Sequence, residues 1–313
     1  MLRSALLIGG CERSGTTMLA DFISKTEDVV VTPESHFFIN IYEQYGIGPW
    51  DFNTKKDVVA YLSNDFRFSL WGIDIVKLAE QKPVNSLQDI ITVCVNEYSV
   101  KTVGKECSLW LDHTPHNIRK LSYWENIATG NFELAAIHIV RDGRGVYNSV
   151  RKLDWGPNLA STTALWWENN VLLSAMSLSR SSVKTMEIRY EDFLINPEHV
   201  LKSVCEKFSI CYTKEMIFGG GFKKPSYTLH QHELVGKKAS SERSYNWKSE
   251  LSKDQVDVFE RCAGDVLIAL GYKLSKYSKR RRYNPIFLSA DLFWDAILRK
   301  VKWSYNLRRR KRS

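Results

Sequence analysis

The sequence predicts an α/β fold with three layers: a parallel sheet with helices on both faces, interrupted by a helical insertion. Three observations predict it. A continuously apolar run at 5–8 stands directly before a glycine-containing turn and an amphipathic helix, as in a strand covered on both faces. Strand-like segments at 108–112, 134–140 and 184–189 then alternate with helical patterns at 116–127, 143–153 and 160–180. Between the second and third strands, residues 35–104 read as a mostly helical insertion.

Each element has a local cause. Ala5, Leu6, Leu7 and Ile8 form the first strand, and the loop Gly9-Gly10-Cys11-Glu12-Arg13-Ser14-Gly15-Thr16-Thr17 follows. Met18, Leu19, Phe22 and Ile23 then fall on one helical face. The β-branched run Val29-Val30-Val31 is a second strand, ended by Pro33. In the insertion, periodic patterns at 55–63, 74–80 and 86–99 are separated by Pro49, Gly72 and Pro83. No internal repeat is visible. The expected organisation is a domain over 1–275, with the insertion at about 35–104, and a basic amphipathic extension over 276–313.

Composition narrows the function classes. With 313 residues, 44% hydrophobic and 25% charged, the chain is an ordinary globular protein. The net charge of +9 is unevenly placed: 276–313 hold 13 Lys/Arg against only Asp291 and Asp295. The other 275 residues carry 31 basic and 33 acidic side chains, so the body has no nucleic-acid-gripping surface and no nucleic-acid partner is expected. Six cysteines occur without a CxxC pair or company of histidines, as in a reduced chain with core thiols and no metal site. Neither a signal peptide nor a membrane-spanning run is legible, which predicts a cytoplasmic protein.

Two loops carry chemistry. Strand, glycine turn and helix N-terminus make an anion site, because free N–H groups and the helix dipole face the loop. Gly10 to Gly15 has the spacing of a phosphate-binding P-loop, but Thr16 stands where the lysine would be and the cation has moved to Arg13. The second loop, Arg141-Asp142-Gly143-Arg144, ends a strand, with Asp142 at a helix-capping position and Ser149 two turns further on.

Together these segments resemble the sulfotransferases that use 3′-phosphoadenosine 5′-phosphosulfate (PAPS), closest to the carbohydrate and tyrosylprotein branches. Arg13-Ser14-Gly15-Thr16-Thr17 is similar to the family's 5′-phosphosulfate loop, and Arg141 with Ser149 to its 3′-phosphate motif. Arg189-Tyr190-Glu191-Asp192-Phe193 resembles the segment whose tyrosine lies near the nucleotide, and Ser244-Tyr245-Asn246-Trp247 a late family element. The resemblance implies a P-loop-like sulfotransferase fold, PAPS as donor, no metal, and transfer to a hydroxyl of a carbohydrate or glycolipid. It assigns Arg13, Ser14, Gly15, Thr16 and Thr17 to the phosphosulfate, and Arg141 and Ser149 to the 3′-phosphate, with Tyr190 nearby. Lys237 and Lys238 read either as a solvated pair or as a clamp on that phosphate.

Glu34, after the second strand, matches the glutamate base of the tyrosylprotein branch. His113, in Asp112-His113-Thr114-Pro115, stands where related branches carry lysine, so it is either a cation in lysine's place or itself a base. Glu34 is the expected base, with His113 and Arg13 as its catalytic partners. Trp50, Trp71 and Trp110 are candidates for stacking on sugar rings. Two rival readings stand beside this one: a nucleotide phosphotransferase, disfavoured by the missing lysine, and a non-catalytic P-loop-like binding module.

The extension has its own pattern. Ile286, Phe287, Ala290, Phe293, Trp294, Ile297, Leu298 and Val301 fill one arc of a helix, flanked by basic runs at 279–282 and 308–312. It reads either as a helix docked on the body or in a dimer, or as an interfacial helix on the anionic inner face of a membrane.

Overall fold

The computed structural model of the chain describes residues 2–153, 155–220, 244–276, 278 and 281–310. Lys237 and Lys238 lie outside the described residues.

Strand β1 (Ser4–Gly10) leads into helix α1 (Thr16–Ile23) and the short strand β2 (Val29–Val31). The insertion supplies α2 (His36–Tyr45), α3 (Phe52–Asn64), α4 (Phe66–Ser69), α5 (Ile75–Gln81) and α6 (Leu87–Val103). Side chains of Asp51, Asp65, Asp74 and Ser86 cap α3, α4, α5 and α6 in turn, each accepting a first-turn backbone N–H. After β3 (Leu109–Asp112), the segment expected as one helix is a 3₁₀ turn, Pro115–Lys120, followed by α7 (Leu121–Ala128). Pro115 fits the first position of that turn, where no N–H is needed.

Strand β4 (Glu133–Val140) is followed by α8 (Gly143–Val150) and α9 (Ala160–Ser179). Then come β5 (Lys184–Arg189), α10 (Tyr190–Ile195) and α11 (Pro197–Phe208). The described chain closes with α12 (Trp247–Glu250), α13 (Lys253–Ala269) and α14 (Pro285–Arg310).

The five strands form one parallel sheet in the order β2-β3-β1-β4-β5. The chain leaves β1 in one direction to reach β2 and β3, then crosses to β4 and β5 on the other side. Right-handed crossovers in opposite directions put helices on opposite faces. The crevice between β1 and β4, at their carboxyl ends, is therefore a topological switch point.

Alternation along β1 shows the layering. Ala5 and Leu7 belong to the core shared with the insertion and α7, whereas Leu6 and Ile8 pack on the other face with α1, α10 and α11. The insertion's core is aromatic: Phe37, Phe38, Trp71, Trp110 and Trp124 meet at mostly edge-to-face angles. Trp71 and Trp110 are thus fully buried packing residues, not surfaces for a sugar ring; Trp50 is half-buried, with its Nε1 donating to Tyr45 O. Trp167 is likewise core, packed on Phe259.

Helix α14 does dock on the body, and it docks by polar groups. Asp291 Oδ2 accepts from Ser161 Oγ at 2.6 Å and from Tyr283 OH at 2.9 Å. The fully buried Asp295 accepts from the Asn158 backbone N at 2.6 Å and pairs with Arg299 Nε at 3.1 Å. Lys302 Nζ donates to Leu153 O and Asn158 Oδ1.

Candidate active site

The loop after β1 is built by sterics. Gly15, the residue before α1, has φ +101, and a Cβ there would stand 2.6 Å from Tyr190 Cδ2. Only glycine meets both demands. No side chain caps α1, so its first-turn N–H groups are left to the loop. The preceding Arg13 is also left-handed, at φ 71. Arg119, on the 3₁₀ turn, steadies the loop through Glu12 Oε1 at 2.9 Å and Gly10 O at 3.3 Å.

The β4 loop closes on this one. Arg141 Nη1 donates to Arg13 O at 2.6 Å, and its guanidinium lies 4.3 Å from the centre of the Tyr190 ring. Arg13 Nε donates to Ser149 Oγ at 3.1 Å. The tertiary fold thus joins Arg13, Gly15, Arg141, Ser149 and Tyr190, whose ends lie 177 residues apart in the sequence. Burial, and then the neighbouring Arg141 charge, push the Arg13 guanidinium down to about 10. Two crowded, poorly hydrated cations gain most when an anion joins them. The buried Ser14 Oγ and Arg141 Nε have no hydrogen-bond partner among the described residues.

Sequence reasoning missed what holds Arg141. Asp142 caps α8, accepting from Arg144 N at 2.9 Å. Arg144 binds back to Asp142 Oδ2 at 2.8 Å, reaches Glu260 Oε1 at 2.6 Å, and lies 4.1 Å over the Trp247 ring. Glu191 accepts from Asp142 N at 3.0 Å and from Tyr272 OH at 2.9 Å. Burial raises the Glu191 pKa from its ordinary value. The sequence signals were the second arginine of Arg141-Asp142-Gly143-Arg144 and the glutamate after Tyr190; their partners on α13 and beyond could not be read.

On the other side of β1, Glu34 and His113 come from two loops tied together. Ser35 N donates to Thr114 Oγ1 at 2.8 Å, Ser35 Oγ to Asp112 Oδ2, and Thr114 N to Asp112 Oδ1 at 2.8 Å. The carboxylate of Asp112, fully buried at the end of β3, is the common acceptor. The buried His113 places Nδ1 3.3 Å from Thr17 Oγ1, linking it to the first turn of α1. Glu34 Oε2 lies 2.7 Å from His36 Nε2, a neighbour the sequence reading had not used. The His36 ring lies 4.5 Å from that of His116. Burial, then His36, push His116 down to about 3, so it stays neutral.

Among the described residues, no group of three or more His, Cys, Asp or Glu is arranged to hold a metal. A glycine loop and two arginines at the switch point of a parallel sheet, with a glutamate and a histidine beside them, have the chemistry of a site for an anionic group. The chain belongs to the sulfotransferase family: the model described as "Sulfotransferase family" matches residues 5–214.

Two solved structures share the fold. The sulfotransferase domain from the curacin biosynthetic pathway aligns at 16% identity, covering 88% of this chain and 99% of that one, with TM-score 0.57. The sulfotransferase domain from the Synechococcus PCC 7002 olefin synthase aligns at 16% identity, covering 88% and 96%, with TM-score 0.54. No curated protein matches the chain.

Proposed function

We propose that the protein transfers a sulfuryl group from PAPS to an acceptor hydroxyl. The observation that carries this reading is the convergence of Arg13, Arg141 and Ser149 beside the uncapped start of α1. PAPS carries a 5′-phosphosulfate and a 3′-phosphate, and the residues fit both. The orphaned Ser14 Oγ and Arg141 Nε ask for acceptor oxygens, and two crowded guanidiniums ask for a dianion. Arg13, Ser14, Gly15, Thr16 and Thr17 would hold the phosphosulfate, and Arg141 and Ser149 the 3′-phosphate. When bound, PAPS supplies the sulfuryl group that the acceptor oxygen attacks.

The chain's own groups do the rest. The Glu34 carboxylate, oriented by His36 Nε2, removes the acceptor proton. His113, its Nδ1 engaged with Thr17 Oγ1, would present Nε2 as a donor toward developing negative charge. Arg13 neutralises the same charge from the loop. Of the two acceptor classes, a glycolipid is favoured over a free sugar. Trp71 and Trp110 offer no stacking face, while α14 presents exposed apolar side chains suited to a lipid surface.

The direct test is turnover of sulfur-labelled PAPS against sugar, lipid and tyrosine acceptors, together with product-binding measurements. Binding of adenosine 3′,5′-bisphosphate in preference to ATP supports the assignment. Preference for ATP would favour a phosphotransferase, and binding without turnover on any acceptor a non-catalytic module.

A further inference from the structure

The docking of α14 is inverted relative to an ordinary amphipathic helix. Its body-facing side carries Asp291, Asp295 and Lys302, each bonded to the 153–161 region. Its apolar arc, centred roughly 120° away at 100° per residue, faces outward. Ile286 is 77% exposed, Phe293 64%, Trp294 58% and Val301 60%. A contiguous apolar stripe left exposed on a folded body marks an interaction surface.

Charge selects the occupant. Residues 281–313 contain two acidic side chains, Asp291 and Asp295, and both are turned into the body. Basic residues stand at both ends, with Arg281 and Arg282 before the helix and the run 308–312 in its last turns and beyond. Arg282 meets Asp265 at 3.5 Å, but both side chains are almost fully exposed, so that pair contributes little neutralisation. A second copy pairing through this stripe would set basic ends against basic ends in either orientation. An anionic lipid surface complements both ends and accepts the aromatic side chains between them.

We propose that α14 is a membrane-docking face: its outward stripe of Ile286, Phe293, Trp294 and Val301 inserts shallowly into an anionic phospholipid surface. Asp291, Asp295 and Lys302 fix the body to the helix's other side. The body is thereby held rigidly against the bilayer rather than tethered by a loose tail. Among the described residues, no helix is long and apolar enough to cross a membrane, so attachment would be peripheral.

The test uses the full chain with phosphatidylcholine vesicles, with and without phosphatidylglycerol. Wild type is expected to sediment with the anionic vesicles at low salt and to be released as salt screens the charge. Phe293→Ser with Val301→Ser should weaken binding about tenfold or more while leaving the denaturation midpoint unchanged. Arg281→Ala with Arg282→Ala should weaken it by up to about thirtyfold at low salt. Three results would overturn the proposal: wild type ignoring anionic vesicles, the serine variant binding as well as wild type, or the stripe mediating a dimer that the serine substitutions dissolve and vesicles do not. Failure would remove the support for a lipid-borne acceptor and leave the donor site untouched, because no step of this test uses PAPS.

Discussion

Arg141→Ala is the most informative change to the proposed donor site, because Arg141 has two separable tasks. It donates to Arg13 O at 2.6 Å, which sets the loop, and its buried Nε has no partner among the described residues. The first contact has a neutral carbonyl acceptor and is part-buried, contributing about 1 kcal/mol. The second, completed by a phosphate oxygen, is charge-assisted and contributes about 1.5–3 kcal/mol. Their sum of about 2.5–4 kcal/mol corresponds to a roughly 70- to 900-fold loss in affinity for adenosine 3′,5′-bisphosphate.

The two parts differ in ligand dependence. Affinity for an adenosine 5′-phosphate lacking the 3′-group should fall only through the loop contact, by about fivefold. Arg141→Ala should therefore nearly erase the preference for the 3′-phosphate, whereas Ser149→Ala, losing a neutral donor, should reduce it by about tenfold at most. Calorimetric titration of both ligands into wild type and variants measures the preference directly. If Arg141→Ala weakened both ligands equally, Arg141 would only be shaping the loop, and its assignment to the 3′-phosphate would be wrong.

Other expectations follow from the same geometry. Glu34→Gln keeps the shape but not the basicity, so turnover should fall by about 10²–10⁴ with bisphosphate affinity preserved; an active Glu34→Gln beside an inactive His113→Lys would transfer the base role to His113. His113→Lys should regain activity lost in His113→Ala if a hydrogen-bond-donating cation suffices at that position. His116, surrounded by His36, Arg67, Arg119 and Glu34, is held neutral to about 3, while in the unfolded chain it titrates near the ordinary imidazole value of about 6.5. The unfolded state therefore takes up a proton that the folded state refuses, and stability should fall as pH drops from about 6.5 toward 3, by at most about 1.4 kcal/mol per pH unit. Urea denaturation of wild type and His116→Gln should show a shallower pH slope in the variant, and equal slopes would contradict the assignment. Asp295→Ala leaves Asn158 N without its charged acceptor and should cost about 1.5–3 kcal/mol by the same assay; a neutral result would mean that α14 is not docked through Asp295.

What the sequence determined by itself was local. Continuous apolarity at 5–8 marked a strand buried on both faces, glycine spacing and Arg13 marked the anion loop, and Asp142 before Gly143 marked a helix start. These signals lie within a few residues of one another, inside the range of backbone sterics and capping. The segment after Pro115 reads as one helix in the sequence because apolar spacing cannot separate a 3₁₀ turn from the first turn of an α-helix. Trp71 and Trp110 read as candidate sugar platforms in the sequence because aromatic content does not say which side of a turn or strand faces the core.

The tertiary structure decided everything that depends on pairs remote in sequence. It set Arg13 on Ser149, Arg141 on Tyr190 and Arg13 O, and His113 on Thr17, with the Ser35–Asp112 and Ser35–Thr114 contacts aligning the two loops. It also turned α14 so that two aspartates face the body and the apolar stripe faces out. A helical wheel shows that a stripe exists, but not which side the body will claim. Here Asp291, Asp295 and Lys302 bond to the 153–161 region on one side, and the buried Asp295 carboxylate is satisfied by Asn158 N and Arg299, partners that no helical wheel displays.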